Sequence, residues 1–402
     1  MNTTERFLKY VSFETTSDDY SETCPSSEKE WDLARYLEKE MKEVGLTDVR
    51  LDEYGYVYGY LNATPGYEKA DSIGLLAHMD TSNAVSGKDI KPRILKYEGG
   101  DIKLNEKVSI LASEFPELAK LVGDDLIVTD GTTLLGADDK AGIAEIMAAV
   151  EYFVAHPEVP HGRLCIAFTP DEEIGRGTDH FDVENFGADY AYTLDGAALG
   201  GIEVECFNAA GASIKINGVS IHPGSAKNKM KNAVLVGNDL LNMLPPAEAP
   251  AHTEGYEGFY HVCEFNGSEQ EANIVLIIRD HDRAKFEKKK EFLTKVCEFL
   301  NVKYGAGTVE LTLKDSYRNM IEILKDKQQV VDRAVNAMEK LGVKVEMLPI
   351  RGGTDGASLT FKGIPCPNLS TGGGNYHGVL EYLSIQSMNK MVEVIIELAT
   401  EK

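Results

Sequence analysis

Five short segments of this chain bring imidazole and carboxylate side chains to the ends of apolar runs. They are His78-Met79-Asp80, Gly136-Ala137-Asp138-Asp139-Lys140, Asp171-Glu172-Glu173, Leu194-Asp195-Gly196 and His377-Gly378. Carboxylate oxygens together with imidazole suit Zn²⁺, with Mn²⁺ or Co²⁺ as substitutes. Two such ions about 3.5–4 Å apart need a bridging carboxylate and a shared water, which they acidify into a nucleophile. Each segment alone has a plainer reading, but two histidines with four or more carboxylates favour a two-metal hydrolytic centre.

Ligands of open α/β sheets gather beyond the carboxyl ends of the strands. The apolar run 72–77 reads as a buried strand, so His78 and Asp80 follow its end, two residues apart and facing the same way on extended backbone. His78 is then a metal ligand and Asp80 the carboxylate that orients its ring. A surface histidine and aspartate at a strand end is the plainer alternative. Asp138 and Asp139 precede a helix predicted over 140–154. One aspartate there is a good cap, and a second exceeds what capping needs; Asp139 is assigned as the bridge between two cations. Asp171-Glu172-Glu173 follows a strand predicted over 163–169. Three adjacent carboxylates repel unless a cation or solvent compensates. Glu173 is assigned as a ligand and Glu172 as the general base, against an exposed acidic turn. Asp195 closes a strand predicted over 190–194, and His377 lies in the glycine-rich loop 372–378, where backbone approaches a ligand closely.

The elements that must hold these groups alternate between helices and strands. An amphipathic helix over 27–45 opens on a Ser27/Glu30 capping pattern and stops at Gly45. With the strands 72–77, 163–169 and 190–194, this predicts an α/β fold with a mainly parallel sheet. The pattern changes after about residue 206. Strands at 212–216, 272–279 and 309–313 alternate with helices at 225–243 and 281–300, which predicts a small α+β layer. The first style resumes with a helix at 325–341, a strand at 344–349 and a helix at 384–400. The expected organisation is a discontinuous catalytic domain, 1–206 plus 321–402, with an inserted α+β lid domain at 207–320. The loop 244–260 is long enough to suggest function.

Composition narrows the partners. The chain has 402 residues, too many for one core. Its net charge of −24, from 65 acidic and 41 basic residues, argues against nucleic acid and anionic membranes. Six scattered cysteines without a Cys-x-x-Cys pair argue against a disulfide framework and a thiolate zinc site. No secretion signal or bilayer-spanning run is read, so a cytoplasmic location is expected. There is no nucleotide-binding Gly-x-x-x-x-Gly-Lys-Ser/Thr loop and no Gly-x-Ser-x-Gly elbow.

The order of these motifs resembles the co-catalytic di-zinc peptidase family that includes carboxypeptidase G2 and aminoacylase. The resemblance runs through Leu75–Thr81, Leu134–Gly142, Phe168–Gly175, Thr193–Gly196, Arg351–Gly356 and Asn375–Gly378. It implies two zinc ions per subunit: His78 and Asp195 on one, Glu173 and His377 on the other, Asp139 between them, Asp80 behind His78, and Glu172 as base. It also implies an aminopeptidase that removes the first residue of unblocked tripeptides. His222 resembles the family's lid histidine, which dimeric relatives supply from a partner chain, so a homodimer is compatible with the resemblance. Asn273 and Arg279 resemble lid groups that meet a substrate carboxylate. Arg351 is a second carboxylate clamp by its bidentate geometry, or a surface ion pair. The competing functions are a dipeptidase or N-acyl amino acid deacylase on the same scaffold, a metal-dependent phosphoesterase, and a non-catalytic peptide binder.

Overall fold

The computed structural model describes residues 1–400. The chain divides into two compact units, one of residues 1–204, 322–348 and 354–402, the other of residues 205–321 and 349–353. The short segment 349–353 thus groups with the inserted portion rather than with 321–402.

The first unit is built on an eight-stranded sheet. At its centre Leu164–Thr169, Ile73–His78, Tyr190–Gly196 and Asn368–Ser370 lie side by side and parallel. Antiparallel strands flank them, with Val57–Leu61 beside Leu164–Thr169 and Gly201–Glu205 beside Asn368–Ser370. Every position of Ile73–His78 is buried because both faces are covered. Ile73, Leu75 and Ala77 join the core under the helices Thr3–Tyr10, Glu30–Val44, Ala137–Ala155, Gln328–Lys340 and Ile385–Ala399. Leu76 faces the opposite core with Tyr56, Tyr58, Phe181 and Phe186. Two-sided burial is why these strands read as unbroken apolar runs.

A smaller sheet, not predicted from the sequence, matters as much for function. It pairs Arg93–Lys96 with Asp125–Val128, then Tyr382–Ser384, then Gly373–Gly374. Asp125–Val128 leads into the loop that carries Asp138, while the hairpin from Gly373–Gly374 to Tyr382–Ser384 carries His377. Pairing of Tyr382 with Val128 sets the two loops side by side.

The second unit is a four-stranded antiparallel sheet in the order Phe259–Gly267, Glu271–Asp280, Asn208–Asn217, Val309–Tyr317, with Ala233–Met243 and Arg283–Tyr304 packed on it. It departs from the sequence prediction in two places. The first helix begins at Ala233, not 225, because Asn232 caps it by accepting from the Leu235 amide. Phe259–Gly267 is a strand, half of a hairpin whose outward residues break the apolar pattern.

One buried group in the Ala137–Ala155 helix is out of place. Glu145 has no exposed surface and neither carboxyl oxygen has a hydrogen-bond partner. Burial raises its pKa well above the ordinary 4.5. The folded chain therefore keeps a proton that the unfolded chain releases above pH 4.5, and stability falls as pH rises from there. Glu145→Met is expected to stabilise the protein by about 1–3 kcal/mol at pH 5, the cost of an unpaired buried polar group, and by more at pH 8. Thermal unfolding at the two pH values checks this; equal gains would show that Glu145 does not titrate on unfolding.

Candidate active site

His78 ends the central strand with its ring buried. Its Nδ1 lies 3.1 Å from the Asp80 carbonyl oxygen and 3.3 Å from Asp80 Oδ1. This fixes the ring and leaves Nε2 pointing at Asp138 Oδ1, 2.9 Å away, and Asp195 Oδ1, 3.4 Å away. The next parallel strand, Leu164–Thr169, ends before Asp171, whose φ of 59° turns the chain into the short helical turn Glu172–Ile174. Asp80 reaches across to this turn: its Oδ1 accepts from the Glu172 amide at 3.0 Å and its Oδ2 from the Glu173 amide at 3.1 Å. One buried carboxylate therefore orients the histidine and both glutamates. Asp80→Ala is expected to weaken cation binding and turnover by roughly 10–100-fold, the usual cost of losing such an outer partner. Wild-type zinc affinity in a titration would show that the amide contacts are dispensable.

The adjacent aspartates separate clearly. Both lie at the head of the Ala137–Ala155 helix on non-helical backbone, Asp138 at φ −85°, ψ 102° and Asp139 at φ −125°, ψ 35°. Asp138 faces both histidines, with Oδ1 on His78 Nε2 and Oδ2 3.0 Å from His377 Nε2. His377 Nε2 is also 3.0 Å from Glu173 Oε2. Asp139 turns the other way, fully buried, with its Oδ2 accepting from the His78 backbone amide at 3.1 Å. The structure therefore sets Asp138, and not the Asp139 expected to bridge two cations, between the two histidines. Irregular backbone at the helix start aims the first aspartate into the site and the second into the sheet.

Donor atoms of His78, Glu172 and Asp195 lie within 4.8 Å of one another, as do those of His78, Asp138 and Glu173. Burial and the neighbouring Asp195 push the Glu172 carboxyl well above the usual carboxylate range. Burial, with Asp138, raises Glu173 to about 7, and burial raises Asp195 to about 6. The carboxylates of Asp138 and Glu173 lift His377 to about 10. Asp138 runs the other way: burial opposes its charge, yet the hydrogen bonds with His377 and His78 hold it below the ordinary value. The two imidazoles do not balance the carboxylates around them. Glu173 Oε1, on the carboxylate beside His377, is buried without a hydrogen-bond partner. An unpaired buried oxygen among carboxylates that outnumber the two histidines fits divalent cations by charge and by donor type.

Two residues that the sequence reading did not assign adjoin the site. Asp355 is buried, accepts from Thr169 Oγ1 at 2.6 Å and lines the same small cavity as Glu172 and Asp195. Gly177 makes room for it, since a Cβ there would lie 2.2 Å from Asp355 Oδ1. Glu381 is also buried, four residues after His377. A signal for it was present: a lone carboxylate inside Val379-Leu380-Glu381-Tyr382-Leu383 is one that needs an internal partner.

The candidate substrate residues belong to the second unit. His222 is exposed and accepts from the Gly224 amide. Asn273 and Arg279 occupy the less buried face of Glu271–Asp280, whose alternate residues Ala272, Ile274, Leu276 and Ile278 enter the core. Arg351 is neither a free clamp nor a surface ion pair. Its Nη1 donates to the Gly255 and Glu257 carbonyls at 2.7 and 3.0 Å, and its Nη2 to Thr253 Oγ1 at 3.0 Å. Its guanidinium also lies over the Phe207 ring, 5.1 Å from the centroid. Arg351 thus organises the 253–257 loop.

Imidazoles and carboxylates gathered beside the carboxyl ends of a parallel sheet offer the donor set of a metal centre, and similarity to known proteins gives the class. The profile of peptidase family M20/M25/M40 matches residues 131–401. Peptidase T of Caldanaerobacter subterraneus subsp. tengcongensis is 55% identical over 397 residues, covering 98% of this chain and 97% of that protein. A tripeptidase structure from Staphylococcus aureus superposes with a TM-score of 0.78 at 24% identity, covering 99% of this chain and 97% of the other. A dinuclear metal-binding M20 peptidase from Bacillus subtilis superposes with a TM-score of 0.63 at 15% identity, covering 99% and 96%. The chain belongs to peptidase family M20/M25/M40, a metal-dependent family.

Proposed function

We propose that this chain is a zinc-dependent aminotripeptidase, releasing the first residue of unblocked tripeptides. The observation that carries the chemistry is the meeting of His78, His377, Asp138, Glu173 and Asp195, each from a separate segment, beside a Glu172 whose amide is fixed by Asp80. The peptide class is supported by 55% identity to a Peptidase T along nearly the whole chain. His78 and Asp195 would hold one cation, Glu173 and His377 the other, and Asp138 both. When bound, the cations supply Lewis acidity to the scissile carbonyl and to the attacking water. Glu172 takes the proton from that water and returns it to the departing amine, so the free carboxyl and free amine of the products balance the hydrolysis. Asp80 keeps Glu172 and His78 in register. His222, Asn273 and Arg279 are our candidates for the substrate carbonyl and carboxylate, and the Arg351-held loop for the limit on length. No disulfide joins the six cysteines, all of them among the described residues, which fits the reducing cytoplasm; no helix of the described residues is long and apolar enough to cross a membrane.

The test is hydrolysis of one tripeptide beside its dipeptide, tetrapeptide and N-acetylated counterparts, with metal-stripped and zinc-restored protein. Zinc-dependent release of the first residue from the free tripeptide alone is the expected result. Cleavage of the acetylated peptide would make the enzyme a deacylase, and preference for the dipeptide a dipeptidase.

A further inference from the structure

Glu381 is the most heavily hydrogen-bonded carboxylate beside the site. It is 1% exposed. Its Oε2 accepts from the amides of Leu135 and Gly136 at 2.6 and 2.9 Å, and its Oε1 from those of Ala137 and Asp138 at 2.7 and 3.1 Å. Four consecutive amides thus converge on one side chain. The last is that of Asp138, on backbone that is not helical and has Gly136 at φ 76° two residues before it. Such a segment has no regular hydrogen-bond ladder of its own, and its donors need buried acceptors. Glu381 also sits in the hairpin that carries His377, next to Tyr382, which pairs with Val128. One carboxylate therefore joins the segment carrying Asp138 to the hairpin carrying His377, whose side chains meet at 3.0 Å.

We propose that Glu381 is a positioning residue for the metal centre: by gathering the 135–138 amides it presets Asp138 against His377, as Asp80 presets Glu172 and Glu173 against His78. This rests on the assignment of Asp138 as a cation ligand. Glu381 touches neither substrate nor cation; it acts through the backbone of the ligand segment. An acceptor-only side chain is required, because a glutamine would aim an N–H group at two of the four amides.

The test compares zinc-loaded wild-type protein with Glu381→Gln, Glu381→Asp and Asp138→Ala. Zinc retention against a chelator is measured alongside amide hydrogen exchange and thermal unfolding of the metal-free forms. Glu381→Gln is expected to weaken zinc binding by roughly 10–100-fold, with exchange rising over 135–138 and the rest of the protection pattern kept. Glu381→Asp, which keeps two acceptors but is one methylene shorter, is expected to recover part of the affinity. A purely structural role would instead lower the unfolding midpoint and raise exchange broadly, with zinc affinity of the folded protein unchanged; that result overturns the proposal. If Glu381→Gln does not fold, Glu381→Asp decides, and wild-type zinc retention with unchanged exchange over 135–138 overturns it. Loss of zinc in Asp138→Ala but not in the Glu381 variants rejects the clamp and keeps the site assignment. Full zinc retention in Asp138→Ala rejects the site assignment itself.

Discussion

Asp138→Ala should abolish peptidase activity and release bound zinc, a loss beyond the roughly 100-fold that marks the upper end for outer partners of a metal site. Asp138 places one oxygen on each site histidine, so no neighbour can replace it without moving both loops. Asp139→Asn should behave differently. Its retained oxygen can still accept from the His78 amide, so zinc should stay bound while the fold loses some stability. Metal content after gel filtration and thermal unfolding of the two variants separate the outcomes. If Asp139→Asn loses zinc and Asp138→Ala keeps it, the assignment of the pair is reversed.

Glu172→Gln should lower kcat by about 10²–10⁴-fold, the span of a positioned general base, with KM and zinc content close to wild type. The carboxamide side chain would preserve shape, and the backbone amide its contact to Asp80, but the variant could not take a proton. Glu172→Asp tests distance, since a displacement of about 1 Å can cost about 10²-fold. Metal analysis is an essential companion to the kinetics because Glu172 also lies in donor range of His78 and Asp195. Release of one zinc from Glu172→Gln would make Glu172 a ligand and leave the base to be found elsewhere, with Asp355 the next carboxyl on the same cavity.

Much of this was legible in the residues, for reasons that also explain what was not. The strands Ile73–His78, Leu164–Thr169 and Tyr190–Gly196 read clearly because burial on both faces leaves an unbroken apolar run. The end of the helix Glu30–Val44 read clearly because Gly45, at φ 110°, stops it as glycine does, whereas its start is corrected from 27 to Glu30, with Lys29 and not Ser27 at the N-cap. The small sheet of Arg93–Lys96, Asp125–Val128, Gly373–Gly374 and Tyr382–Ser384 did not, since strands of two to four residues carry no period and exist through long-range pairing. Asp139 was chosen over Asp138, against the placement in the structure, for a related reason. Helix periodicity and capping rules describe regular backbone, and both residues lie where it is irregular. Arg351 shows a third limit: its charge suggested an anion, but carbonyls of a loop nearly a hundred residues earlier take its donors.

The order in which the chain supplies the first unit has a consequence for its synthesis. Asn368–Ser370 must slot beside Tyr190–Gly196 to extend the parallel array, and His377 and Glu381 follow it. A ribosome-bound chain that already displays His78, Asp138, Glu172 and Asp195 therefore waits until the last stretch emerges before the centre can close. At about 5–20 residues per second that wait is on the order of ten seconds or more. Through that interval the nascent chain lacks His377 and Glu381, and the hairpin that carries them is the piece that completes the cluster.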